Sequence, residues 1–186
     1  MNLDHLCFTG DWFADNFIMT EILDEVLFYS GTERKKMINV SPKEGGSMLY
    51  GTTWRGYLSP TKQRTQVPDS KLFFTKVVDD NPHLKDIFKE FANLYFPHFN
   101  YSQVQMNKNF PCPPHKDSMN IGDSYLCCFG NYSGGKTCIY SDDKIIKYNP
   151  QDSPITFNGS KLLHWVEPYK GTRYSLVFFN NSKNKI

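Results

Sequence analysis

The sequence predicts an α+β architecture that is mainly β, with a jelly roll over about residues 99–180 and helices from about residues 1–98 packed on one sheet. Two observations carry this prediction. Short apolar or aromatic runs, separated by Gly, Pro, Asn and Asp, follow Phe99 and are typical of β-strands. Before them, one segment repeats its apolar residues at three- and four-residue steps, as an amphipathic helix does. Because the chain has 186 residues and no internal repeat or low-complexity linker, we expect a single domain over residues 1–186.

Two helices are predicted in the N-terminal part. The first runs from Thr20 to Tyr29, where four apolar residues share one side and Thr20 can serve as the N-cap. The second runs from Pro82 to about Tyr95 and has the clearer apolar stripe. Its ends are marked in the sequence, since Asn81 can cap the free amides and Pro97 blocks continuation.

Six strands are predicted in the C-terminal part. They are YSQVQMN (101–107), SYLCCFG (124–130), KTCIYS (136–141), KIIKYN (144–149), SPITFN (153–158) and RYSLVFF (173–179). The glycine-containing stretch from Gly130 to Gly135 is predicted to be a hairpin turn, because Gly134 and Gly135 permit positive φ. It lacks the Lys-Ser or Lys-Thr that follows a phosphate-binding loop.

Charge and cysteine usage indicate a soluble intracellular protein. The formal net charge of +2 is too small to require nucleic acid or an anionic membrane as a partner. The residues between Gly51 and Lys76 carry a local excess of positive charge, and a solvated face is its simplest explanation. Five cysteines without paired spacing fit reduced thiols, and the N-terminus resembles neither a secretion signal nor a membrane span. We therefore expect a monomer in the cytoplasm or nucleus, with no membrane partner.

One pattern predicts a metal site. His115 and Asp117 lie two residues apart, so on an extended chain both side chains project to the same side. Such a pair is common by chance, but His164 follows 49 residues after His115, just before the last strand, and a jelly roll can bring the three together. Two histidines and one carboxylate on one face of an octahedron leave three positions open, as in non-haem Fe(II) oxygenases.

A second pattern predicts an anion site on the last strand. Arg173 lies nine residues after His164, in a strand that is otherwise apolar, and such an arginine requires a partner. Its planar guanidinium matches a carboxylate in two parallel hydrogen bonds. Ser175 lies on the same strand face and can add a hydroxyl.

The H-x-D pair, the distal histidine and the R-x-S pair together resemble the Fe(II)- and 2-oxoglutarate-dependent oxygenases, over roughly residues 101–179. The segments NKN, HKDSMNIGDSY, GNYSGG, FNGSKLLHW and GTRYSLVFF look more narrowly like small TET/JBP-like and AlkB-like members, which oxidise nucleobases. The resemblance implies a cupin-like double-stranded β-helix and a dioxygenase that uses Fe(II), 2-oxoglutarate and O2, with ascorbate helpful in vitro. It implies oxidation of a substrate while 2-oxoglutarate is converted to succinate and CO2.

The resemblance also assigns roles to single residues. The metal-binding and catalytic residues are His115, Asp117 and His164. The residues that contact 2-oxoglutarate are Arg173 at the far carboxylate, Ser175, Asn107 and Tyr125. The role of Asn107 is open, because an asparagine at a strand end often satisfies the neighbouring backbone instead. The other histidines, His5, His83 and His98, have no ligand-spaced partner.

A nucleobase in DNA or RNA is the first substrate class that we expect. Trp54, Arg55 and Arg64 combine cations with a stacking ring, and Asn120 lies beside the H-x-D pair, so these four are tentative substrate contacts. Since the chain is compact, a single strand, a nucleotide or RNA suits it better than a duplex. The alternatives are hydroxylation of a protein side chain, as in prolyl-hydroxylase-like relatives, or of a small molecule. A non-catalytic jelly-roll binding module is the remaining alternative.

Overall fold

The computed structural model of the chain describes residues 7–30, 44–53 and 73–181. These residues contain three helices, namely α1 (Trp12–Asp24), α2 (Lys76–Asp80) and α3 (Leu84–Tyr95). They contain eleven strands, namely β1 (Gly46–Thr53), β2 (Phe73–Phe74), β3 (Gln103–Lys108), β4 (Asn120–Phe129), β5 (Tyr132–Gly134), β6 (Thr137–Ser141), β7 (Lys144–Tyr148), β8 (Ile155–Phe157), β9 (Leu163–Val166), β10 (Tyr169–Gly171) and β11 (Tyr174–Asn181). None of the helices in these residues is long and apolar enough to span a bilayer.

The strands form two main antiparallel sheets. The larger has six strands in the order β2-β1-β3-β11-β4-β8, and the smaller has three in the order β7-β6-β9. An isolated antiparallel bridge joins His115 to His164 of β9, and β5 pairs separately with β10. From β7 onward the chain passes alternately through the smaller sheet (β7 and β9) and the larger sheet (β8 and β11), which is the connectivity of a double-stranded β-helix. The predicted jelly roll is confirmed.

The two faces of the larger sheet have different environments because side chains alternate along each strand. On β11, Tyr174, Leu176 and Phe178 are fully buried in the main apolar cluster, where they pack with residues of α1 and α3. Helix α3 contributes Phe88 and Phe91, whose rings lie 5.8 and 6.2 Å from that of Phe178. The helices therefore cover one face of this sheet, as predicted. The opposite face is turned toward the smaller sheet.

Helix α1 differs from its prediction in both start and end. It begins at Trp12, because the Asp11 carboxylate accepts hydrogen bonds from the amides of Phe13 and Ala14 and caps it. Thr20 lies inside the helix, where its hydroxyl donates to the Asn16 carbonyl at 2.8 Å. The prediction that Thr20 caps a helix over 20–29 is wrong, since a stronger acidic cap lies further upstream.

Helix α3 ends at Tyr95 as predicted but begins at Leu84, two residues later than expected. The Asn81 side chain does not cap it. Instead its amide donates to the Val77 carbonyl at 3.1 Å, at the end of the short helix α2. Helix α2 was not predicted, because its five residues are too few for a periodic pattern.

All six predicted strands occur, and five others were not predicted. The longest of these, β1, lies in the part assigned to helices and pairs with β3 along six residues. Its sequence, GSMLYGTT, contains two glycines and no regular alternation, so only its neighbours in the sheet define it. The predicted turn at 130–135 contains strand β5, although Gly134 and Gly135 have the positive φ angles expected of them.

Asp15 ties the start of α1 to α3, and its replacement tests this part of the fold. Burial raises the pKa of this carboxyl, but hydrogen bonds from Thr9, Gly10 and Tyr95 outweigh that effect and hold the pKa below its usual 3.8. A lowered pKa in the folded state stabilises the protein above about pH 4, and this contribution is lost as the carboxylate protonates. We expect Asp15→Asn to lower the free energy of unfolding at pH 7 by about 2 kcal/mol.

Urea unfolding at pH 7 and at pH 3.5 measures this effect. The difference between Asp15→Asn and the wild type should shrink at the lower pH, where the carboxylate begins to lose its charge. Asp79→Asn, at an exposed position of α2, is the matched control and should leave the free energy of unfolding unchanged at both pH values. A deficit for Asp15→Asn that is the same at both pH values would contradict the role of its charge.

Candidate active site

A cavity of about 530 Å³ lies between the two sheets. One wall is the face of the larger sheet that the helices leave uncovered, where Arg173 and the alternate residues of β11 as far as Asn181 line the cavity. His115, Asp117 and His164 line the same cavity. Its size is typical of a pocket for a small molecule.

The three predicted metal ligands converge in the structure. His115 Nε2 lies 3.6 Å from Asp117 Oδ1, and His164 Nε2 lies 3.5 Å from Asp117 Oδ2. One donor atom from each residue falls within 4.8 Å of the others. His164 is 6% exposed, whereas the other two are only partly buried, so the group opens into the cavity.

Backbone hydrogen bonds hold the three ligands in place. The amide of His115 donates to the carbonyl of His164 and that of His164 to the carbonyl of His115, both at 3.0 Å. The amide of Asp117 donates to the Gly159 carbonyl at 2.9 Å. Residues far apart in sequence are thereby locked side by side, which sequence spacing alone could not establish.

Each imidazole has one nitrogen occupied and one available. His115 Nδ1 donates to the Pro113 carbonyl at 2.8 Å, and His164 Nδ1 donates to the Leu162 carbonyl at 3.0 Å. Such bonds fix the ring and its tautomer, leaving both Nε2 lone pairs for a metal. Two imidazoles and one carboxylate are a donor set that suits Fe(II).

Gly159 lies beside the ligands, where a side chain would have little room. A Cβ atom at this position would lie 3.0 Å from Asp117 Oδ2 and 3.5 Å from His164 Cε1. We expect Gly159→Ala to displace the carboxylate and to weaken metal binding by about 10-fold, the lower end of the effect of losing a supporting contact. Titration with Co(II), alongside a thermal melt to verify folding, measures this. Unchanged metal affinity in a folded variant would exclude the contact.

Arg173 is a buried cation without an acidic partner in the described part of the chain. The side chain is 4% exposed, and no carboxylate among residues 7–30, 44–53 and 73–181 forms an ion pair with it. Its Nη2 donates to Cys128 Sγ at 3.0 Å, and its guanidinium lies 5.5 Å from the ring centres of Tyr132 and Tyr169. Its Nε has no hydrogen-bond partner there. Burying an uncompensated charge is costly, so this site fits an anionic ligand.

The remaining predicted contacts divide into three groups. Asn107 and Ser175 line the cavity with Arg173, and Asn120 lines it as well. Tyr125 does not, because it lies on the helix-facing side of β4, where its ring stacks 4.6 Å from that of Phe96. Its proposed contact with 2-oxoglutarate is therefore wrong. The tentative substrate contacts Trp54, Arg55 and Arg64 lie outside the described residues.

Three residues in or beside the cavity were not found by sequence reasoning. Gly159 was quoted only as part of a motif, and its role follows from the Cβ distances given above. Thr137 is 1% exposed and its hydroxyl has no partner among the described residues. Gln103 donates to the Thr52 carbonyl, and its Oε1 likewise has no partner there. Neither side chain is ionisable or part of a motif, so only strand register places them in the cavity.

The fold and the site together define a class: a double-stranded β-helix that carries two histidines and one carboxylate, as non-haem Fe(II) oxygenases do. No protein-family model and no curated protein matches the sequence. Among solved structures, the chain is similar to that described as NgTET1 in complex with 5mC DNA, with 18% identity and a TM-score of 0.54 over 92% of this chain and 69% of that one.

Two other solved structures are similar at lower TM-scores. A Pseudomonas putida prolyl-4-hydroxylase is 12% identical, with a TM-score of 0.44 over 94% of this chain and 88% of that one. OsALKBH1 is 13% identical, with a TM-score of 0.43 over 94% of this chain and 93% of that one. The likeness to NgTET1 shows that the two chains have a common fold.

Proposed function

We propose that the chain is an Fe(II)- and 2-oxoglutarate-dependent dioxygenase that oxidises a nucleobase in DNA or RNA. The observation that carries the proposal is the pairing of two features in one cavity. His115, Asp117 and His164 offer a metal three donors, and Arg173 places a buried guanidinium without a carboxylate partner in the described residues of the same cavity. A ligand that chelates a metal at one end and carries a carboxylate at the other satisfies both.

The residues of this chain fit that chemistry. His115, Asp117 and His164 would hold Fe(II), and the hydrogen bonds of both Nδ1 atoms keep the Nε2 atoms directed at the ion. When bound, Fe(II) and 2-oxoglutarate supply the activation of O2, with succinate and CO2 as the products of the co-substrate. Arg173 anchors the far carboxylate, and the apolar walls of the cavity exclude water.

A nucleobase suits the end of the cavity opposite Arg173. Its walls there include the apolar Leu49 and Phe179, and amide groups are provided by Gln103, Asn120 and Asn181. Apolar walls accommodate the face of a base, and amide groups can form hydrogen bonds with the polar atoms along its edge. NgTET1, which has the same fold, was solved with 5mC DNA. The proposal places this activity in a single-domain monomer of the cytoplasm or nucleus.

Succinate formation tests the proposed reaction. The purified protein is incubated with Fe(II), 2-oxoglutarate and ascorbate, with single-stranded DNA, RNA, duplex DNA or a peptide library as the substrate. Mass spectrometry of the nucleosides and peptides then identifies the oxidised group. We expect succinate to form in step with an oxidised nucleobase.

Binding of a single-stranded oligonucleotide at increasing salt separates the substrate classes. Phosphate contacts release counterions, so the affinity should fall steeply with salt concentration. An oxidised peptide together with salt-independent binding would favour the protein hydroxylase. Without succinate above the level of a metal-free sample, the enzymatic proposal fails.

A further inference from the structure

A chain of side-chain hydrogen bonds crosses three neighbouring strands of the larger sheet. Gln105 Nε2 donates to Ser47 Oγ at 3.1 Å, and Ser47 Oγ donates to Asn107 Oδ1 at 2.6 Å. Asn107 Nδ2 in turn donates to Ser175 Oγ at 3.1 Å. Register places these groups side by side, because Asn107 pairs with Ser47 on β1 and with Ser175 on β11. We call Gln105, Ser47, Asn107 and Ser175 the relay.

The relay has a fixed direction, which begins at Gln105. The Gln105 amide group also donates to the Met48 carbonyl at 2.8 Å, so it must present N–H groups at this point. Ser47 accepts from that amide and therefore directs its own hydrogen to Asn107. Since Asn107 Oδ1 is occupied as an acceptor, its amide nitrogen is turned toward Ser175. Each member determines the orientation of the next.

At its end, the relay leaves Ser175 as a hydrogen-bond donor. Ser175 is 5% exposed and accepts from Asn107, and its own hydrogen has no acceptor among the residues that the structure describes. Ser175 and Asn107 line the cavity that also contains Arg173. The wall at this end thus presents N–H and O–H donors, which suits a carboxylate and not a carboxamide.

We propose that Ser47 and Gln105 are positioning residues that set Ser175 as a donor to the far carboxylate of 2-oxoglutarate. This inference rests on the proposed function, since it takes 2-oxoglutarate as the ligand. Without the Ser47 hydroxyl, Asn107 Oδ1 loses its short hydrogen bond of 2.6 Å and keeps only the longer one from Gln105 Nε2 at 3.4 Å, so the amide is held less firmly and can rotate. The Ser175 hydroxyl then donates to Asn107 and no longer to the co-substrate. A merely structural role for the relay would change stability but not the affinity for 2-oxoglutarate.

Calorimetric titration of 2-oxoglutarate into the Fe(II)-loaded protein under nitrogen tests the inference without turnover. We expect Ser47→Ala to raise the Kd about 10-fold, the effect of one hydrogen bond to a charged group. The affinity for Fe(II) and kcat at saturating 2-oxoglutarate should not change. Ser47→Thr restores a hydroxyl and should restore the Kd. Ser102 lies one residue before β3, and its buried hydroxyl has no hydrogen-bond partner among the described residues. Ser102→Ala is therefore the control and should not change the Kd for 2-oxoglutarate.

Gln105→Glu provides a second route if Ser47→Ala fails to fold. A carboxylate at this position competes for the Ser47 hydrogen instead of donating to Ser47, so the relay would reverse. The Kd for 2-oxoglutarate should again rise while Ser47 is retained. If the wild type binds no 2-oxoglutarate, the proposed function fails. If the wild type binds it and Ser47→Ala and Gln105→Glu bind it equally well, the relay has no role in binding.

Discussion

Replacement of His164 by Ala is expected to abolish metal binding and 2-oxoglutarate turnover. His164 is the most buried of the three ligands, and its Nε2 lies 3.5 Å from Asp117 Oδ2. Loss of a supporting contact around a metal ligand already weakens binding by roughly 10- to 100-fold, so removal of the ligand itself should cost at least about 100-fold. Metal content after dialysis, Co(II) titration and succinate formation measure the loss.

The controls for this prediction separate metal binding from folding. His98→Ala removes an exposed histidine without a ligand-spaced partner and should leave metal affinity and turnover unchanged. Asp117→Ala should reproduce the loss seen for His164→Ala, because both residues contribute to one site. A folded His164→Ala protein that retains full metal affinity and turnover would refute the metal centre.

Replacement of Arg173 by Met is expected to raise the 2-oxoglutarate requirement by about 100-fold, with little change in Fe(II) affinity. Truncating one partner of a buried, hydrogen-bonded charge pair costs roughly 2–5 kcal/mol. Met fills much of the same volume, so the loss reports the charge and the hydrogen bonds more than the packing. The Kd from calorimetry under nitrogen and KM from succinate formation measure the effect.

The stability of the ligand-free protein gives an independent check on Arg173. Its buried guanidinium has no carboxylate partner in the described residues, so Arg173→Met should leave the ligand-free protein at least as stable as the wild type. 2-Oxoglutarate should raise the Tm of the Fe(II)-loaded wild type but not of the variant. Arg173→Lys keeps a positive charge without the planar guanidinium, and its Tm shift on addition of 2-oxoglutarate should lie between those of the wild type and Arg173→Met. Equal affinity of Arg173→Met and the wild type for 2-oxoglutarate would contradict an anion site here.

The errors of prediction have identifiable physical causes. Tyr125 was assigned to the site from the family resemblance, but a strand presents successive side chains to opposite faces. Its neighbours Ser124 and Leu126 face away from the helices, whereas Tyr125 stacks with Phe96. A shift of one residue in register reverses this assignment, and sequence alone does not give the register. Thr20 and Asn81 were assigned as helix caps from local preference, but each side chain instead donates to the carbonyl four residues earlier.

The ionisable residues could be identified from the chain alone. It has five histidines, and the spacing of His115, Asp117, His164 and Arg173 restricts what they can bind. Strand pairing in the folded protein was needed to show which neutral groups join them, namely Ser47, Gln105, Thr137 and Gly159. Such groups act through position alone, and position depends on strand pairing between segments far apart in the sequence.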